Sequence, residues 1–216
     1  KVLERKNRVV ETLVSGIRSQ LKKNGVDYIE GFGKIIKRDS DGYLIEVNEE
    51  TYSGKRLLIA TGSKPITPPI PGLENALEDE FVLTNREILD LEKIPESLTI
   101  IGGGIVGLEL GSYFNSVGSE VTVIEMLDHI GGEMDREIAE KLLESYKNKG
   151  IAFKLNSRVT EIEDRNIIYE TQNEKYELKS EKVLLCAGRK PVVNGIGFEN
   201  IGLEINEGQV EVDETG

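Results

Sequence analysis

The sequence predicts an α/β protein in which a parallel sheet, built on a βαβ unit, carries a small antiparallel sheet. The first observation behind this prediction is residues 98–125, where an apolar strand, a glycine turn, a helix and a second strand follow one another. The second is a series of short strand-like runs after residue 150. The third is a stretch with four prolines at 65–71, which forbids regular structure and marks a crossing between domains.

The glycine turn of the βαβ unit matches the pattern G-x-G-x-x-G. Its first glycine permits the tight turn, its third position lets backbone approach a pyrophosphate, and its last glycine lets the helix lie close to the sheet. The helix N-terminus points free N–H groups at the turn, where a phosphate would bind. This order is typical of a Rossmann-like nucleotide-binding domain. The six residues of the turn are Gly102, Gly103, Gly104, Ile105, Val106 and Gly107.

An acidic residue, Glu125, ends the second strand 18 positions after Gly107. A carboxylate at this point can accept hydrogen bonds from both adenosine ribose hydroxyls and would repel a 2′-phosphate. Residues 126–129 contain no arginine that could hold such a phosphate. The sequence therefore favours NAD(H) over NADP(H). No Gly-Lys-Ser/Thr follows the glycines, which argues against a P-loop.

Composition limits the possible partners and sites. The 216 residues carry a net charge of −12, which disfavours nucleic acid or an anionic membrane as a partner. Without an apolar run of membrane-spanning length or a signal segment, a cytoplasmic protein is expected. The chain has one cysteine, Cys186, and one histidine, His129, so no internal disulfide and no metal site are expected. We expect Cys186 to be a small buried hydrophobic residue, His129 to lie at the surface, and this chain to hold no catalytic residue.

Hydrophobic periodicity predicts helices at 1–24, 85–91 and 135–149. Strand-like runs occur both before the βαβ unit and after it, with a hairpin turn at 172–174. These runs are 28–36, 43–47, 56–61, 151–155, 159–162, 167–169, 176–178 and 182–186. Segments 56–65 and 182–191 share one pattern of apolar strand, glycine turn, basic residue and proline, which suggests two related nucleotide-binding domains.

Four motifs, taken in order, resemble the flavoprotein pyridine nucleotide-disulfide oxidoreductases. They are ATGSKP at 60–65, GGGIVGLELG at 102–111, VIEM at 123–126 and CAGRKP at 186–191. Within that family the nearest likeness is to the members that oxidise dihydrolipoamide. The resemblance implies an FAD-binding domain with an inserted NAD-binding domain. Residues 1–97 would then be part of the FAD-binding domain, 98–190 the NAD-binding domain, and 191–216 the start of the return to the FAD-binding domain.

The same resemblance implies which residues contact the cofactors. Glu109 would be an acid near the nicotinamide. The positions that match flavin contacts are Gly33, Thr61, Gly62 and Ser63. The positions that match NAD contacts are Gly102, Gly103, Gly104, Ile105, Val106, Glu125, Val159, Cys186, Ala187, Gly188 and Arg189.

The family's reaction passes a hydride between NAD(H) and FAD and then electrons to a cysteine pair. On that template the first FAD fingerprint and the cysteine pair would precede Lys1, and the dimerisation domain would follow Gly216. The chain is therefore expected to be the middle of a flavoenzyme that is inactive alone and holds FAD poorly. The parent is expected to be a homodimer, and the resemblance also implies an association with a 2-oxo acid dehydrogenase complex. An isolated NAD(H)-binding module, an NADH oxidase, a coenzyme A disulfide reductase and a mercuric reductase remain alternatives.

Overall fold

The computed structural model describes residues 1–214 and divides the chain into two units. One unit consists of residues 1–64 with the described residues from 190 onward, and the other of residues 65–189. The segment 66–97, expected in the flavin-binding part, packs within the second unit. There Leu73, Phe81 and Val82 are buried in the core, so the contacts change at residue 65, where the proline-rich stretch begins.

Within residues 1–214 there are four α-helices, two short 3₁₀ helices and fifteen strands. The α-helices are α1 Val2–Lys23, α2 Leu73–Glu78, α3 Ile105–Ser116 and α4 Arg136–Asn148. The 3₁₀ helices are Glu87–Asp90 and Phe198–Ile201. The strands are β1 Lys34–Asp39, β2 Gly42–Val47, β3 Glu50–Gly54, β4 Ser63–Pro65, β5 Val82–Leu83, β6 Ser97–Ile101, β7 Glu120–Ile124, β8 Ala152–Lys154, β9 Ser157–Glu163, β10 Asn166–Thr171, β11 Glu174–Lys179, β12 Lys182–Leu185, β13 Arg189–Pro191, β14 Ile205–Asn206 and β15 Gln209–Val210.

A five-stranded parallel sheet forms the centre of the second unit. Its order is β5-β12-β6-β7-β8, and each strand runs parallel to its neighbours. In the central strand β6, Ile100 lies opposite Leu184 on one side and Val123 on the other. The chain order reverses between β6 and β12, and such a reversal leaves a crevice at the carboxyl ends of the strands. The predicted βαβ unit and parallel sheet are confirmed.

Both faces of this sheet are buried, which explains why its strands are continuous apolar runs. On one face the helix α3 packs through Leu108 and Phe114, which lie on the side of the helix that meets the sheet. The opposite face is covered by α2 and by the antiparallel strands β9, β10 and β11. Each large side chain buried here contributes about 1.5–3 kcal/mol, so the sheet is a rigid platform for the residues at its edge.

The antiparallel sheet has the order β11-β10-β9 and is joined by two-residue turns. Asp164 and Arg165 have φ of 47° and 63°, and Gln172 and Asn173 have φ of 54° and 66°. Two successive residues with positive φ form the type I′ turn, whose twist matches that of the adjoining strands. The predicted hairpin turn at 172–174 and the strands around it are therefore confirmed.

The first unit contains the helix α1, as predicted, and a three-stranded antiparallel sheet of β1, β2 and β3. No residue of α1 is buried. The core of this unit is small, and its backbone is held by the Ile35 N–H, which donates to the Ile196 carbonyl at 2.7 Å. Its buried residues are Ile35, Val193, Ile196 and Phe198.

Three secondary-structure predictions were wrong, one of them entirely and two in part. Residues 56–61 form no strand although they are apolar, and Leu58 is 90% exposed. A strand requires a hydrogen-bonded neighbour as well as β-branched residues, and the structure gives this segment none within residues 1–214. The run at 28–36 becomes a strand only from Lys34, and the helix expected at 85–91 is the single 3₁₀ turn Glu87–Asp90. The short elements α2 and β5 were not predicted, because six and two residues show no measurable periodicity.

Candidate functional site

The glycine turn lies at the point where the strand order of the parallel sheet reverses. It follows β6 directly, and Cys186, the residue after the adjoining strand β12, donates its N–H to the Ile101 carbonyl at 2.8 Å. On the other side, the Gly102 N–H donates to the Ile124 carbonyl at 2.9 Å. Backbone from three strands therefore meets at the turn with no side chain between them.

Two glycines of the turn are required by the fold itself. Gly102 has a φ of +105°, and a Cβ there would collide with the Cys186 carbonyl. A Cβ on Gly107 would lie 2.5 Å from the Gly102 carbonyl oxygen and 3.1 Å from Cγ2 of Ile100. These contacts fix the turn and hold the first turn of α3 against β6, as the sequence predicted for both positions.

Gly104 is different, because nothing in the fold requires a glycine there. Its φ of −73° and ψ of 175° suit any residue, and a Cβ built on it would meet no atom within 4 Å. It is the N-cap of α3, and no side chain caps the helix. The N-terminal N–H groups of a helix have no partner within the helix and attract anions. The open space before Gly104 therefore fits a phosphate, and a side chain at this position would fill it.

Glu125 follows β7 and turns its carboxylate toward the glycine turn. Its Oε2 accepts the Gly103 N–H at 2.5 Å, and its Oε1 accepts the Leu127 N–H at 2.8 Å. A carboxylate offers about four acceptor positions, so two remain for hydroxyl donors. The residue thus has a structural role that the sequence did not reveal, and its carboxylate is held in place before any ligand binds.

A cleft of about 430 Å³ opens beside the turn, on the side of Glu125. Seven predicted contact residues line it: Gly102, Gly104, Glu125, Val159, Cys186, Ala187 and Gly188. Ten other residues complete the wall and were not predicted: Pro68, Pro69, Ile70, Ile101, Ile124, Met126, Leu127, Gly132, Ser157 and Arg158. The wall is thus mostly apolar, with a few polar groups placed on it, as in many small-molecule sites.

A smaller cleft of about 130 Å³ lies on the other side of Gly104. The predicted contact residues Ile105, Val106 and Arg189 line it, and both apolar side chains are partly exposed. The Arg189 guanidinium donates to Oδ1 of Asn85 at 3.3 Å. Three residues, Gly104, Cys186 and Gly188, border both clefts. An extended ligand could therefore run from one cleft to the other across the N-terminus of α3.

The remaining predicted residues lie outside these two clefts. Glu109 is exposed on α3 and lines neither of them. Thr61 and Gly62 belong to the first unit, where the Thr61 hydroxyl and the Gly62 carbonyl both bond the backbone of Val192. Ser63 starts β4, and a Cβ at Gly33 would make only ordinary contact with Ile45.

The loop after Met126 forms one wall of the larger cleft and is tied to α4. The Asp128 carboxylate accepts from the Arg136 guanidinium at 2.5 Å and lies 2.7 Å from Nδ1 of His129. The Arg136 guanidinium, and secondarily His129, hold the pKa of Asp128 well below its usual range. Nε2 of His129 lies 3.0 Å from the Gly132 carbonyl. His129, expected at the surface, is partly exposed at 22%, and its two ring nitrogens lie against Asp128 and Gly132.

Cys186 was predicted to be buried and is partly so: it packs against the core of the sheet and also borders both clefts. Burial raises its pKa to about 12, so it is a neutral thiol at pH 7. Thiolates, not thiols, are the reactive form. We expect iodoacetamide at pH 7.5 to leave the folded protein unmodified over an hour, and to alkylate one cysteine per chain in denaturant. Mass spectrometry measures both, and rapid alkylation of the folded protein would contradict the burial of this side chain.

Within residues 1–214, no group of three or more His, Cys, Asp or Glu side chains is arranged to hold a metal ion. In the same range, no helix combines the length and the apolar surface needed to cross a bilayer.

The fold and the two clefts define a doubly wound α/β protein with a ligand crevice at its switch point. A family model described as pyridine nucleotide-disulphide oxidoreductase matches residues 1–216. The chain belongs to this family, and the predicted family and fold class are confirmed. It is 36% identical over 214 residues to a dihydrolipoyl dehydrogenase from Acholeplasma laidlawii, covering 99% of this chain and 62% of that protein. A dihydrolipoamide dehydrogenase from Chaetomium thermophilum is 37% identical over 224 residues, covering 99% of this chain and 43% of that protein.

Solved structures support the same family. The HOCl-induced flavoprotein disulfide reductase RclA from Escherichia coli superposes with a TM-score of 0.86 at 27% identity. The match covers 98% of this chain and 48% of that structure. Almost the whole of this chain is matched in each comparison. The chain itself spans only about half the length of these proteins.

Proposed function

We propose that residues 65–189 bind NAD(H) across the two clefts. The observation that carries this proposal is Gly104, where open space lies in front of an uncapped helix N-terminus, an arrangement that favours an anionic pyrophosphate. The adenosine end would occupy the cleft beside Glu125, and the nicotinamide end would occupy the smaller cleft beside Ile105 and Val106. Val159, Ala187 and Gly188 would form walls for the bound dinucleotide.

The specific preference for NAD(H) rests on Glu125. Its carboxylate keeps two acceptor positions, the number needed for the two ribose hydroxyls. A phosphate on the 2′ oxygen would remove one of those donors and bring a like charge close to the carboxylate. In this proposal Glu125 binds and orients the ribose, while Gly103 and Leu127 hold the carboxylate in position.

We propose further that the whole protein is an FAD-dependent disulfide oxidoreductase of the dihydrolipoamide dehydrogenase type. FAD, when bound, would exchange a hydride with the nicotinamide and electrons with a disulfide. The family and the named relatives support this proposal. Residues 98–190 would be the NAD-binding domain, with 65–97 packed against it, and the remainder would belong to the FAD-binding domain. Glu109 would approach the nicotinamide.

In the first unit, Gly62 fits a close approach of the flavin, because a Cβ there would meet no atom within 4 Å. Gly33, Thr61 and Ser63 would lie on the same cofactor. Cys186 would act only as a wall of the dinucleotide site, since its thiol stays protonated. A homodimer and an association with a 2-oxo acid dehydrogenase complex are part of the same proposal.

Titration calorimetry with NADH and NADPH tests the cofactor preference. We expect the unmodified protein to bind NADH more tightly than NADPH. Glu125→Ala should weaken the binding of NADH by about tenfold, because two acceptors for the ribose hydroxyls are lost. The binding of NADPH should weaken less or improve, because the substitution also removes a repulsive charge. Glu120→Ala is the control, because Glu120 is exposed at the opposite end of the same strand. Equal affinities in the unmodified protein would refute the proposed role of Glu125.

A further inference from the structure

The larger cleft contains one acidic and one basic side chain. Among the described residues that line it, Glu125 is the one carboxylic acid and Arg158 the one basic residue. They are brought together by the sheet and not by the sequence, because the Ser157 N–H donates to the Glu125 carbonyl at 2.8 Å. This bond starts β9 alongside Glu125 and places Arg158 one residue further along.

Arg158 is exposed, and its guanidinium has no hydrogen-bond or ion-pair partner within residues 1–214. Its neighbour Val159 is 5% exposed and belongs to the core. Across the antiparallel sheet, Arg158 lies opposite Glu170, which in turn lies opposite Lys175. Of the two basic residues in this row, Lys175 lies outside the cleft.

The position of Arg158 distinguishes the two ends of a bound dinucleotide. Gly104, where the pyrophosphate would lie, borders both clefts, whereas Arg158 borders only the cleft that contains Glu125. An arginine that borders this cleft therefore lies at the adenosine end of the proposed ligand. The anionic group that distinguishes one dinucleotide from another at this end is the 2′-phosphate, and the planar guanidinium matches a phosphate with two parallel hydrogen bonds.

We propose that Arg158 is a specificity-determining residue that binds the ribose 2′-phosphate of an NADP(H)-type dinucleotide. Glu125 disfavours this phosphate and Arg158 favours it, so the site prefers NAD(H) yet also accepts NADP(H). The inference rests on the proposed NAD(H) site and adds a second ligand class to it. It also qualifies the prediction from residues 126–129, because the arginine that this segment lacks comes from another strand.

The test compares Arg158→Ala with the unmodified protein, and Lys175→Ala is the matched control. In calorimetric titrations we expect Arg158→Ala to raise the Kd for NADPH by about tenfold, because one charged hydrogen-bonded contact is lost. The Kd for NADH should change by less than about twofold. Arg158→Lys should retain part of the NADPH affinity. Lys175→Ala should change neither value by more than about twofold, because its charge lies outside the cleft.

A second pair of ligands isolates the adenosine end. The unmodified protein should bind 2′,5′-ADP measurably, and Arg158→Ala should weaken 2′,5′-ADP but not 5′-AMP. Equal weakening of both ligands, or of both NADH and NADPH, would overturn the inference, because the guanidinium would then contact a part that they share. No change at all would also overturn it. Failure of the unmodified protein to bind NADH would instead refute the proposed function.

Discussion

Replacing Gly104 with alanine is expected to lower the affinity for NADH by about 10- to 100-fold while the protein remains folded. The added methyl group would occupy the open space before α3 and keep a pyrophosphate away from the N–H groups of the helix. The fold does not oppose the change, because the φ of −73° is ordinary and no atom lies within 4 Å of the new carbon. We expect the free energy of unfolding to change by less than about 1 kcal/mol.

Calorimetric titration with NADH and a thermal melt followed by circular dichroism measure these two effects separately. Wild-type affinity in the Gly104→Ala protein would place the ligand elsewhere. A melting temperature lowered by ten degrees or more would show instead that the glycine serves the fold, in which case the loss of binding would carry no information about the phosphate (a shift of this size corresponds to roughly 3–5 kcal/mol).

Replacing Gly107 with alanine is expected, unlike the Gly104 substitution, to destabilise the protein, by about 2–3 kcal/mol. The new Cβ would lie 2.5 Å from the Gly102 carbonyl oxygen, which belongs to the fixed backbone of the turn. The helix α3 must therefore move away from β6, and the contacts of Leu108 and Phe114 with the sheet weaken with it. Binding of NADH should fall as well, because the same movement displaces the helix N-terminus.

Gly16→Ala is the matched control for this prediction. Gly16 lies inside α1 and a Cβ there would meet nothing within 4 Å, so the same substitution should stabilise by up to about 1 kcal/mol. Urea denaturation of the two variants measures both signs. An unfolding midpoint for Gly107→Ala equal to that of the unmodified protein would mean that α3 is not held as closely as the structure shows.

The parts of the fold that the sequence predicts well are those that depend on local rules. In residues 97–124, strand, turn, helix and strand each have their own signal, and all four occur where they are expected. The apolar run at 56–61 carries the same signal as 182–186, yet only the second is a strand. The difference is the neighbour: β12 lies between β5 and β6, whereas 56–61 pairs with no strand among the residues that the structure describes. Hydrophobic periodicity indicates which side chains of a segment are apolar. It does not indicate whether another strand lies beside that segment to pair with it.

The residues of the candidate site also fall into those that local sequence rules predict and those that they do not. Gly104 and Glu125 follow from the order of motif and strand, so their positions could be predicted. Arg158 could not, because the bond between Ser157 and Glu125 joins segments that lie more than thirty residues apart. Nor could the hydrogen bonds that hold the Glu125 carboxylate, since they depend on the conformation of the turn and not on the identity of its residues.

The meeting of three backbones at the glycine turn has a consequence for how such a site can change. Backbone of Gly102 and Cys186 forms part of the cleft wall. The geometry of this backbone does not depend on which side chains the rest of the cleft carries. Substitutions can therefore alter the choice of ligand at side chains that border the cleft, such as Glu125 and Arg158. In the proposed site, backbone would hold the dinucleotide and the bordering side chains would distinguish one dinucleotide from another, so the second property could be redesigned while the first is kept.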